Sequence, residues 1–197
     1  MAITFAQLQD LMRKEGYSFF VAPDRPVLQL RASGSFGIYT VLISVQDEGN
    51  FLQFRTSEYL TYPPSHPHSA GIWQTLGTIN REKRFLKFSW DASDGEIICY
   101  GDVWVMDNQV TQAQFRRMLG NFLPGIDVSY QRIKLAAETG KNLGSEDPQL
   151  LAAQKKASDR PALPPELRAL LDKLKKRREG NATDALPSNP KPQIKEI

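Results

Sequence analysis

The sequence predicts an α+β domain: an antiparallel sheet of about five strands with helices packed on one face, in the order α-βββ-α-ββ-α, followed by a flexible C-terminal tail. Three observations predict it. Segments of helical period and of strand period succeed one another in that order. An Asp94-Gly95 pair between two apolar runs marks a hairpin. All 19 aromatic residues lie at or before Tyr130, which confines the bulkiest core-forming side chains to the first two thirds of the 197 residues.

Thr4-Phe5-Ala6-Gln7 is a capping-box pattern, and Phe5, Leu8, Leu11 and Met12 then mark one apolar face, so the first helix spans about residues 5 to 15. Gly16 stands where a left-handed cap is expected. A short extended piece runs from Tyr17 to Val21, and the Pro23-Asp24-Arg25-Pro26 turn leads into a strand, Val27 to Arg31. Gly34 and Gly37 break that strand. Ile38 to Val45 is rich in β-branched residues, and Asp47-Glu48-Gly49-Asn50 turns it back into Phe51 to Arg55 as a hairpin. Three prolines between Tyr62 and His68 remove backbone donors and force a loop. Ile72, Trp73, Leu76 and Ile79 repeat at helical spacing, although Gly77 costs that helix about 1 kcal/mol relative to Ala. Arg84 to Trp90 and Glu96 to Val105 are the arms of the second hairpin. Thr111 caps a helix carrying Phe115, Met118, Leu119 and Phe122, which is expected to stop near Pro124-Gly125, with a final helical segment from Ile126 to Glu138.

The domain is expected to occupy residues 1–138 and the largely disordered tail 139–197. From residue 140 onward lie seven of the 13 prolines, and 12 Lys/Arg stand against 8 Asp/Glu, leaving 13 against 14 before it. The net +3 is therefore a property of the tail, which has a linker composition. Within it, Pro164-Pro165-Glu166 opens a helix of about residues 165–179 whose Leu167, Leu170, Leu171 and Leu174 fall on one stripe, with Arg168, Lys173 and Lys175 to Arg178 on the far side and at the end. Such a short helix is marginal in water and wants something to pack on. Docking on a partner protein or back on the core is the favoured reading. A partly helical unbound tail and contact with nucleic acid or an anionic membrane stay open, the last weakened by the absence of interleaved aromatics for base stacking.

No run of about 20 apolar residues offers a membrane span, and Met1 to Thr4 does not begin a secretory signal, so a cytoplasmic protein is expected. Catalytic signatures are missing. No Gly-x-Ser-x-Gly elbow, His-Glu-x-x-His pair or Walker ending after Gly34-Ser35-Phe36-Gly37 occurs. His66 and His68 could offer two imidazoles to a metal, but no third ligand is nearby in sequence. Cys99, between Ile98 and Tyr100, reads as a small buried hydrophobe and not as a nucleophile. Asp91, Asp94, Glu96, Asp102 and Asp107 lack calcium-loop spacing and read as solvated hairpin charges. No catalytic, cofactor or metal residue is assigned; the candidate partner-binding residues are Leu167, Leu170, Leu171 and Leu174.

The ordered set of Gly16-Tyr17, Leu28-Gln29-Leu30, Asn80 ahead of Lys87-Phe88, Asp94-Gly95, Asp102, and Thr111 with Phe115 resembles the YbjN family over about residues 4 to 135. That resemblance implies a fold similar to type III secretion chaperones and a non-enzymatic binding protein that often dimerises. The core here is nearly neutral where secretion chaperones are acidic, which favours a folding or assembly helper over an export role. The expected function is a chaperone-like module or assembly factor holding a segment of a client protein. A regulatory or nucleic-acid-associated adaptor using the basic tail is the alternative.

Overall fold

Strand alternation decides which side of the sheet is covered. The computed structural model describes residues 3–105, 109–144, 146–147, 150–152 and 155–156, all within the first of two units, 1–158 and 159–197. Thr4 opens α1 (Phe5–Lys14) with the expected reciprocal cap: the Gln7 N–H donates to Thr4 Oγ1 at 3.2 Å and the Thr4 N–H to Gln7 Oε1 at 2.8 Å. The chain then leaves through Gly16 at φ +75°, a conformation that costs glycine nothing.

Strands β1 (Phe19–Val21), β2 (Val27–Ser33), β3 (Ile38–Gln46) and β4 (Phe51–Ser57) form an antiparallel meander. After β5 (Leu60–Thr61) and α2 (Ser69–Glu82), the hairpin of β6 (Leu86–Trp90) and β7 (Glu96–Trp104) returns to the same sheet. β7 lies against β4, and further along against β5, with β6 on its other side. The sheet therefore holds seven strands. The two beyond the expected five are short: β1 is the extended piece before the Pro23 turn, and β5 has no alternation to announce it. Between the pairs Arg55 with Tyr100 and Leu60 with Ile97 the register slips by two residues, as at a bulge. Glu58 sits there at φ +54°, and the Cys99 N–H, turned toward this gap, donates to Thr56 Oγ1 at 2.9 Å.

One face of the sheet carries the fully buried side chains Leu28, Ile43, Leu52, Phe54, Ile97 and Cys99. Leu8 and Met12 of α1, Ile72, Leu76 and Ile79 of α2, and Phe115 and Phe122 of the next helix join them in a single core. Phe54 is central to it, its ring centroid 5.7 Å from Phe85, 6.0 Å from Phe115 and 5.6 Å from Phe122. The edge strand β6 is blunted by α2: the Asn80 side-chain amide donates to the Phe88 carbonyl at 3.0 Å and accepts its N–H at 2.7 Å. A side chain thus stands in for a neighbouring strand.

Past β7 the structure departs from expectation. Pro124-Gly125 does not end a helix; α3 (Gln112–Thr139) runs through it, about 42 Å long. An interior proline costs about 3 kcal/mol. The fully buried Phe122, Ile126 and Ile133 lie on both sides of it, and each contributes roughly 1.5–3 kcal/mol by leaving water, so packing outweighs the break. Gly125 serves close approach: an added Cβ there would lie 2.7 Å from Leu86 Cδ2 of β6. Beyond α3, Leu143 and Leu150 are buried, and the buried Arg132 Nε donates to the Leu143 carbonyl at 2.5 Å while its Nη1 meets Glu82 Oε2 at 2.7 Å. That pairing holds the Glu82 carboxyl below its ordinary value.

Candidate functional site

Pairing places the residues between the buried ones in rows on the opposite face. Gln29, Leu42, Arg55, Tyr100 and Lys87 lie side by side across five strands. Val27, Ser44, Gln53 and Asp102 form the next row, and Gln46, Phe51 and Trp104 the one after. Trp104 on this face is 64% exposed and its ring is 4.9 Å from that of Phe51. A polar chain runs across the middle, in which Gln46 Nε2 donates to Ser44 Oγ at 2.9 Å and Gln53 Nε2 to Asp102 Oδ1 at 3.0 Å.

Two cations of the first row differ in use. Lys87 Nζ donates to the Asn80 and Lys83 carbonyls at 2.7 and 2.9 Å, satisfying the C-terminal end of α2. Arg55 has its Nε out of water with no hydrogen-bond partner among the described residues. It borders a depression of about 290 Å³ lined also by Arg25, Pro26, Val27, Leu42 and Ser44. Apolar floor and cationic walls suit an anionic, partly apolar ligand.

The covered side holds a second polar cluster. Asp127 of α3 accepts the Ser35 and Phe36 N–H groups at 2.7 and 2.9 Å and the Tyr39 hydroxyl at 2.6 Å. Gly34 is required there, because a Cβ would overlap the carboxylate. The Gly34-Ser35-Phe36-Gly37 turn thus presents amides to an anion, though the anion belongs to the chain itself. The Tyr59 hydroxyl donates to the Ile126 carbonyl at 2.5 Å, and the rings of Tyr39, Tyr59 and Tyr130 meet with centroids 5.5–5.8 Å apart. Burial, and for Tyr39 the Asp127 carboxylate, push the Tyr39 and Tyr59 phenols up from their ordinary value. These groups are satisfied and enclosed, and they hold the fold.

The structure disperses most of the residues weighed from sequence. His66 Nδ1 accepts the His68 N–H at 3.2 Å, and among the described residues no three His, Cys, Asp or Glu side chains converge as a metal site. Cys99 is buried and its thiol is pushed up by that burial. Asp91 accepts from Ser93 and Asp94 from the Glu96 N–H within their turn, while Glu96 accepts from the Glu58 N–H and Asp102 from Gln53 across to the neighbouring segment. Asp107 and the tail leucines Leu167, Leu170, Leu171 and Leu174 lie outside the described residues. Sequence reasoning missed Arg55 and Asp127. Arg55 alternates with the buried Phe54 and Thr56, which puts it on the far face; Asp127 stands alone in the apolar run around Ile126.

These features define a small α+β protein with one antiparallel sheet whose one face, among the described residues, is covered by helices. Residues 4–134 match the model of the YbjN family, described as "Putative bacterial sensory transduction regulator". The chain belongs to the YbjN family. Its fold is similar to that in "Crystal structure of YbjN, a putative transcription regulator from E. coli", with a TM-score of 0.53, 18% identity, and coverage of 70% of this chain and 94% of that one. "Structure of the HopA1-SchA Chaperone-Effector Complex" gives a TM-score of 0.44 at 14% identity, covering 64% of this chain and 94% of that one. No curated protein matches the chain in sequence. Among the described residues no helix is long and apolar enough to cross a membrane.

Proposed function

We propose that the chain is a non-enzymatic protein-binding module that holds a segment of a client protein on the open face of its sheet, as a chaperone or assembly factor does. The observation that carries this reading is the sheet face opposite the core, with Trp104 exposed on Phe51 at one end and, in the middle, an arginine Nε that has no partner among the described residues. Aromatic and arginine side chains dominate the energetics of protein interfaces, and here both kinds stand on one face of the sheet. The tail beyond about residue 138 supplies a second contact through Leu167, Leu170, Leu171 and Leu174, its linker raising the effective concentration of the client.

The test is photo-crosslinking in the native host from a benzoyl-phenylalanine placed at Gln29 or Asp102 on the open face, with Arg81 on the outer side of α2 as control. Defined client peptides joined to the first two positions and not to the third are expected. Labelling of equal yield at all three, or of none, would discard the reading. The description of the family as a sensory transduction regulator favours one second reading, an adaptor that uses the basic tail. In that case the full chain binds duplex DNA with an affinity that falls steeply with salt.

A further inference from the structure

We propose that the depression between Arg25 and Arg55 is an anion-recognition subsite that receives a carboxylate side chain from an extended acidic client segment. This rests on the protein-binding reading above and specifies its ligand. Arg13, Arg116 and Arg132 are each paired with a carboxylate, on Asp10, Glu15 and Glu82 respectively. Arg55 is the arginine among the described residues whose Nε is both out of water and without a hydrogen-bond partner. A buried donor without an acceptor is costly, and an incoming carboxylate removes that cost. No carboxylate lines the depression, and Asp102 in the neighbouring row already accepts the Gln53 amide. Val27 and Leu42 in its lining lower the local dielectric, which strengthens a charge-assisted bond made above them.

Charge selects among the occupants. The tail of this chain carries 12 Lys/Arg against 8 Asp/Glu, a net charge of the same sign as the two arginines. A second copy seated on the same face about a two-fold axis passing beside Arg55 would bring arginine against arginine. Nucleic acid meets a core with 13 basic and 14 acidic residues before position 140, without the continuous positive track a polyphosphate needs. An acidic peptide meets none of these objections. The pair Phe51 and Trp104 lies four residues along the strand from Arg55, about 13 Å away at ~3.3 Å per residue. A segment running along the strand direction therefore presents Asp or Glu to Arg55 and, four residues on, an apolar side chain to Trp104.

The experiment pans a displayed library of random decapeptides against the full-length chain and repeats the selected binders with variants by fluorescence anisotropy. Peptides enriched in Asp or Glu with an apolar residue four positions away are expected. Their affinity falls roughly tenfold or more in Arg55→Gln, falls also in Arg25→Gln, recovers in part in Arg55→Lys and is unchanged in Arg81→Gln. Thermal unfolding of Arg55→Gln at an unaltered or higher temperature shows that the fold is intact; if that variant fails to fold, Arg25→Gln and Arg55→Lys decide the matter. Binders without acidic preference, or binders insensitive to both arginines, overturn the carboxylate subsite and leave the protein-binding reading standing. Recovery of no binder overturns both. A single-stranded oligonucleotide that displaces the peptides at lower concentration than a free acidic peptide does would show the ligand to be phosphate and overturn the assignment.

Discussion

On the covered side of the sheet Asp127 is 8% exposed and accepts three hydrogen bonds, two of them from backbone amides of the β2–β3 turn; on the open side Arg55 has a buried Nε and no acceptor. Both place polar atoms of a charged group out of water, and among the described residues only Asp127 has partners for them. Charge on the covered side is compensated within the fold, as Arg132 with Glu82 also shows. The unpartnered Nε lies on the face where the proposed client would supply an acceptor. The fold's own charges and the proposed binding site thus lie on opposite faces of one layer.

Substitutions sharpen that contrast. The largest effect is expected from Phe54→Ala, at about 4 kcal/mol of lost stability by urea unfolding, since the ring is fully buried among three other phenylalanines. Asp127→Ala follows at about 2 kcal/mol, because it removes the acceptor of two amides in a partly exposed turn and of a buried phenol; a loss under 1 kcal/mol would mean that the turn is held by something else. Raising the pH attacks the same cluster. The folded state keeps Tyr39 and Tyr59 protonated above their ordinary value of 10.0, so their contribution is intact below pH 10 and is lost as the pH rises toward the folded-state values. Unfolding midpoints measured from pH 9 to 12 should decline, and Tyr39→Phe should flatten the decline.

Smaller effects lie on exposed surface. Gly77→Ala on α2 is expected to stabilise by about 0.5–1 kcal/mol, because nothing lies within 4 Å of the added Cβ and the unfolded chain loses freedom. Arg55→Gln should leave stability unchanged or raise it by up to about 1 kcal/mol, because it removes a buried donor that has no acceptor, measured by the same urea melt. A loss of 2 kcal/mol there would end the distinction between the faces.

Much of this was legible in the residues. The capping boxes at Thr4 and Thr111, the Asp94-Gly95 hairpin and the alternation of Leu28, Leu30, Val41, Ile43, Leu52 and Phe54 are local signals, and local hydrogen bonding and side-chain periodicity act over a few positions. Those signals determined the element order, the antiparallel meander and which side chains share a face. Only the tertiary structure decided that α3 continues through Pro124, that β5 shifts register against β7, that Asp127 closes a turn 91 and 92 residues away in sequence, and that Arg55 is left without an acceptor. Each of these depends on what lies opposite a residue across the core or across the sheet. Such long-range packing outweighs local propensity once two or three large side chains are buried by it, and no window of sequence contains it.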